Sequence, residues 1–114
     1  MKRSEEEERA LMMAAPELAR DYVIKNEHLA NFHTSEDFEH VVNMIASALQ
    51  TKHNFGYSGG GFIQSVVNND LYEALATADI TNQRNIILIV GGLYNIPLWS
   101  IEKRAKEITE LLRS

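Results

Sequence analysis

Tyr57 and Ser58, followed by Gly59, Gly60 and Gly61 and, eight residues further on, by Asn69 and Asp70, form the polar cluster with the makings of a ligand site. Consecutive glycines free the backbone for turn conformations, and Phe62 onward reads as a helix. Unpaired N–H groups at such an entrance favour an anion through both the orphan donors and the helix dipole. Tyr57 or Phe55 would stack on a base, and Asn69 with Asp70 would read the polar groups of a nucleotide-like ligand. The plainer alternative is a tight turn with glycines that permit close packing. A Gly-Lys-Ser/Thr is missing, as is a clear preceding strand, so neither a P-loop nor a dinucleotide fingerprint is implied, and no cofactor is expected.

Other chemistry is thinner. Ser58, Ser65 and Thr77 are hydroxyls without a base at a spacing the sequence vouches for, which points away from an enzyme. His28, His33, His40 and His53 are scattered, and Glu36 with His40 is only a two-ligand fragment, so no metal site is expected and the imidazoles read as surface or capping groups.

The elements that must position these groups read as helices throughout. The expected fold class is all-α, a compact bundle of about five helices with the glycine-rich loop before the central one. Ser4 followed by four Glu starts a first helix to about Ala14, an acidic helix or arm over residues 1–15. Pro16 then suits the first turn of a second helix to about Ala30, with Leu18, Tyr22 and Leu29 inward, unless one helix bends at Pro16; residues 16–114 form a single helical domain. Thr34 or Ser35, with Glu36 and Asp37, caps a third helix to about Thr51 on the spacing of Phe38, Val41, Val42, Ile45 and Leu49.

In the central helix, 100° steps from Phe62 put Val66, Ile63, Ala74, Leu71, Leu75 and Ala78 on one arc, and Asp70 inside it. A carboxylate there needs a partner: Arg84, Lys52, or a backbone turn or helix end that it caps. Asp79 or Thr81 caps the next helix through Asn95. Its run Ile86 to Val90 has strand composition, but no other segment offers a pairing partner, and Gly91-Gly92 in a buried helix permits close backbone approach. Ser100 caps a last helix with an Ile101, Ala105, Ile108 and Leu112 stripe and a charged outer face.

The run Gly59 to Leu71, then Ala78-Asp79 with Asn82 and Asn85, then Leu93-Tyr94-Asn95 before Pro97, resembles a family of small bacteriophage and prophage proteins. That family shows Gly-Gly-x-Phe, Asn-Asp-Leu, Ala-Asp-x-x-Asn, Leu-Tyr-Asn and a following Pro before a short closing helix. The similarity spans about Gly59 to the end. In the family pattern a Gly-Ser precedes the closing helix and a Trp lies late in it, whereas here Trp99 comes before that helix. The resemblance implies a phage context and no particular mechanism.

With 114 residues, 45% of them apolar, the chain suits one core. A net charge of −5 disfavours a generic nucleic-acid or anionic-membrane surface, although Lys103, Arg104 and Lys106 could make a local basic patch. No cysteine, no signal-like start and no long apolar run set the expectation of a soluble protein in the cytoplasm of the host cell. The functional expectation is a non-enzymatic binding protein that occupies a host or phage protein, for instance a defence or regulatory protein; a nucleotide-like ligand at Tyr57 to Gly61, Asn69 and Asp70 is the alternative. Leu11, Met12, Met13, Ile87, Gly91 and Trp99 are the candidate contact residues for that partner or for a homo-oligomer.

Overall fold

The computed structural model describes residues 2–113, and among these it is all-helical. Seven helices follow in order: α1 (Glu5–Lys25), α2 (Ser35–Lys52), α3 (Gly61–Val67), α4 (Leu71–Thr77), α5 (Ile80–Arg84), α6 (Ile86–Asn95) and α7 (Leu98–Arg113), with a 3₁₀ turn at Glu27–Leu29. α1 packs along both α2 and α7, α2 carries α3 and α6, and α3 abuts α4.

The first two expected helices are one. α1 runs through residue 15 without a break, buries Ala10, Leu11, Ala14, Ala15, Ala19 and Val23, and keeps Pro16 inside it. A proline here has no N–H for the carbonyl four residues back, which is that of Met12. The Gln50 side chain of α2, itself buried, donates to this Met12 oxygen at 3.1 Å, so a residue on a second helix repairs the gap. Replacing Gln50 by Leu should therefore cost about 1–2 kcal/mol by orphaning a part-buried carbonyl. In a Pro16→Ala background the restored N–H can serve Met12, and the same Gln50→Leu change should cost about 1 kcal/mol less. Equal costs in the two backgrounds, measured by urea unfolding, would show that the repair is not what holds the helix together.

α2 starts as its sequence indicates. Asp37 reaches back to the N–H groups of His33 (2.7 Å) and Thr34 (3.3 Å). Those bonds, the His33 one foremost, hold its carboxyl below the ordinary range. Val41, Val42, Ile45 and Leu49 are fully buried on this helix. Leu29, by contrast, is exposed in the 3₁₀ turn rather than inward.

The expected central helix from Phe62 to Ala78 is two helices. Asn69 takes a left-handed conformation (φ 58°), its N–H bonds Val66 O and the Asp70 N–H bonds Ser65 O, the paired closure of a Schellman turn. Asp70 then accepts from Glu73 N at 3.0 Å and caps α4, so its carboxylate is exposed and tied to a helix end rather than buried on an apolar arc. Leu71 and Leu75 rotate out to solvent with this break, and only Ala74 of α4 is buried.

Asp79 caps α5 through Asn82 N, and the helix expected to run on to Asn95 breaks at Asn85. The β-rich run from Ile86 is helical, as expected from the lack of a strand partner. Its Gly92 lies against Ile45 of α2. α7 begins at Leu98, so Ser100 and Trp99 are inside its first turn. Ile101, Ala105 and Ile108 are buried, Leu112 is exposed near the end, and Arg104 leaves the expected basic patch to grip Glu17 of α1 with two bonds at 3.0 and 3.1 Å. Among the described residues no single helix is long and apolar enough to cross a membrane; α6 and α7 reach that measure only together, and are bent by 75°.

Candidate functional site

The glycine-rich loop is held by side chains of its neighbours. Thr51 Oγ1 accepts from Gly59 N (2.9 Å), Gln64 Nε2 donates to Ser58 Oγ (2.6 Å) and Gly59 O (3.1 Å), and Ser47 Oγ donates to Tyr57 OH (3.0 Å). Gly59 has a packing reason, since a Cβ there would sit 2.6 Å from Ile63 Cγ2, whereas Gly60 and Gly61 face open space. Phe55 is buried beneath the loop, with the Arg3 guanidinium over its ring and the His53 ring stacked on it. Burial, with Lys52 and Arg3 close by, keeps the His53 imidazole below its ordinary pKa.

The loop does not meet Asn69 and Asp70. α3 stands between them, and its rise separates Gly61 from Asn69 by roughly 12 Å. The seven residues proposed for one ligand are thus placed at two ends of a helix, with Asp70 taken up as a cap.

Several amides and acids after Asn68 tie helices to one another. Asn82 accepts from His40 Nε2 at 2.9 Å, Asp79 lies 3.5 Å from the same nitrogen, and Asn95 donates to Gly91 O and to Tyr22 OH. Asn85 is buried and binds the backbone of Asn31 in both directions. Among the described residues no group of three or more His, Asp or Glu could hold a metal ion.

What these junctions leave exposed is apolar. α6 turns Leu88, Ile89, Gly92 and Leu93 into the core and presents Ile87, Val90 and Tyr94, one turn apart, to solvent. Beside this ridge runs a groove of about 400 Å³, bounded across by Leu71 of α4 and almost devoid of polar atoms. A cavity of about 220 Å³ between α3, α4 and α6 continues it, sharing Leu71, Ile86 and Val90 and ending at Asn69 and Asp70. Tyr72 and Leu75 are also exposed on α4.

Of the candidate contact residues, Ile87 and Gly91 lie in this groove. Leu11 does not, being buried in the core between α1 and its neighbours, with Met12 partly buried against it. Met13 is exposed beside Ile108 and Leu112 at the α1–α7 seam, and Trp99 is exposed on α7. Leu71, Val90 and Tyr94 were not among the candidates, yet a signal for Val90 and Tyr94 exists: no charged residue occurs from Asn85 to Ile101. One helix among neighbours cannot bury all sides of such a segment.

Elsewhere on the surface several charged side chains pair with one another. Arg20 forks onto Glu39 (2.6 and 2.8 Å), Lys25 meets Asp21, and Arg113 meets Glu6. A groove of about 370 Å³ between α1 and α7 mixes Arg3, Lys106 and Arg113 with Glu7 and Glu102. Comparison with protein-family models, with curated protein sequences and with solved structures finds no match to this chain.

Proposed function

We propose that this chain is a small non-enzymatic binding protein of the phage type that acts by occupying a protein partner, with a host defence or regulatory protein as the concrete target. The observation that carries this reading is the exposed apolar face between α4 and α6, with Ile87, Val90 and Tyr94 as its ridge and a groove lined by no charged residue. Apolar area of this extent costs solubility when it stays wet, and contiguous patches of the kind mark protein-docking sites. The aromatic and aliphatic side chains on it are of the types that anchor interfaces, and they stand on helices rather than on loops. The net charge of −5, with Arg20 and Arg104 engaged by Glu39 and Glu17, favours a protein over a nucleic acid as the partner.

The test is site-specific photo-crosslinking in bacterial cells that produce the protein. A photoreactive residue in place of Ile87 should yield a discrete adduct with one bacterial or phage protein, while the same residue in place of Lys103, on the outer side of α7, should not. Adducts that are the same from both positions, or none at position 87 except with the chain itself, would remove the partner reading.

A further inference from the structure

We infer that the α4–α6 face closes on a second copy of the chain, giving a two-fold dimer in which α6 packs against its counterpart. The inference rests on the reading of this face as a protein-docking surface and names its resident occupant.

Area is the first ground. Of the residues that line the groove, Tyr94 is 85% exposed, Ile87 70%, Leu71 62% and Val90 41%. With aromatic side chains of about 150–250 Å² and somewhat smaller aliphatic ones, these four leave on the order of 450 Å² of mostly apolar surface in water. That lies within the ~300–600 Å² of the largest, often functional, patch on a typical monomer. Set against itself across a two-fold axis, a face of this size matches a weak, concentration-dependent dimer rather than an obligate one.

Charge is the second. A second copy also carries −5, so identical chains repel unless they meet on neutral ground. From Asn85 to Ile101 the chain offers such ground, and the one carboxylate lining the grooves, Asp70, is engaged with Glu73 N. A two-fold axis sets a patch against itself, and this patch holds both halves of a fit: the Ile87, Val90 and Tyr94 ridge, and the groove beside it. Any other protein that docks here must exchange with the second copy.

Sedimentation velocity over a micromolar concentration series decides the matter, with the full chain, Ile87→Asp, Tyr94→Ser and, as a control at the α1–α7 seam, Met13→Ser. The wild type should sediment at twice 12.9 kDa, Met13→Ser should do the same, and Ile87→Asp and Tyr94→Ser should lose the dimer while keeping a wild-type helical circular dichroism spectrum. A wild type that stays monomeric throughout overturns the dimer, as does a dimer that survives both face substitutions. If the chain is monomeric and position 87 still crosslinks a different protein, the second copy is excluded and the docking reading stands. A dimer whose position 87 crosslinks only itself has the opposite meaning.

Discussion

Asn85→Ala should lower the unfolding free energy by about 3 kcal/mol, a large share of the ~5–15 kcal/mol a domain of this size possesses. The Asn85 side chain is 1% exposed, and its two ends do different work. Oδ1 accepts from the Asn31 N–H at 2.7 Å, while Nδ2 donates to Asn31 O at 3.1 Å and to Thr81 O at 2.9 Å. One amide thus ties the segment before α2 to the break between α5 and α6, 54 residues away. Alanine leaves an N–H and a carbonyl of Asn31 without partners, at about 1–3 kcal/mol for each group that water cannot reach. Thr81 O loses less, because the Asn85 backbone N–H still donates to it at 3.2 Å. Urea midpoints supply the measurement, with Asn43→Ala on the exposed side of α2 as the comparison, expected within about 0.5 kcal/mol of wild type. If Asn85→Ala falls in that same range, the junction is held by apolar packing alone and the amide is incidental.

The same residue illustrates what the sequence could and could not disclose. The extent of α2 is legible because everything that fixes it is local: the Asp37 carboxylate lies within a few residues of the N–H groups it accepts from, and Phe38, Val41, Val42, Ile45 and Leu49 repeat on one face. The helical state of Ile86 to Asn95 is legible by elimination, since a strand needs a partner and the chain has none to offer. Asn85 as a buried hub is not legible, because its partners are backbone groups that only the fold brings near. Pro16 is the parallel case. Local rules end a helix at such a proline, and the rescue comes from Gln50 on another helix.

The break at Asn69 fails for another reason. Hydrophobic period alone reads straight across Val66 to Ala74, because Leu71 and Leu75 fall on the same wheel arc as Phe62 and Ile63. The competing signals are present in Asn68-Asn69-Asp70, an Asn suited to positive φ followed by a capping Asp, and they prevail. That one turn moves Leu71 from the expected core to the rim of the groove and turns a misplaced buried acid into an ordinary cap. The apolar face was therefore half visible: Ile87 and Gly91 belong to a segment conspicuous for its lack of charge, while Leu71 could be placed only once the helix was known to break.

Gly92→Val should be the most damaging small change in α6, at about 3 kcal/mol or more, and Gly92→Ala should also destabilise, by about 1 kcal/mol. The second sign is the informative one, because Gly→Ala inside a helix ordinarily gains about 1 kcal/mol from propensity. Here a Cβ would lie 2.8 Å from both Cδ1 and Cγ2 of Ile45 and 3.0 Å from its Cγ1. Ile45 is fully buried and shares its helix with Val41, Val42 and Leu49, also fully buried, so it has nowhere to retreat. Overpacking of this kind costs about 1–3 kcal/mol for small additions, enough to reverse the propensity gain. Gly91→Ala next to it is the contrast. Its Cβ would crowd the hydroxyl end of Tyr22, at 2.6 Å, which can swing aside at the loss of one contact with Asn95, and would make an ordinary contact with Asn95 Nδ2 at 3.8 Å. Trimming the neighbour closes the case: in an Ile45→Val background, which removes the crowding Cδ1, Gly92→Ala should cost less than in wild type. A stabilising Gly92→Ala would mean that α2 and α6 are not set at their spacing by this contact. If the order holds, the consequence reaches the candidate site. α6 is seated on Ile45 through Gly92, and Ile87, Val90 and Tyr94 lie on roughly the opposite side of that helix. The close approach to α2 is then what directs the apolar ridge outward, and substitutions at Gly92 should weaken whatever docks there without touching it.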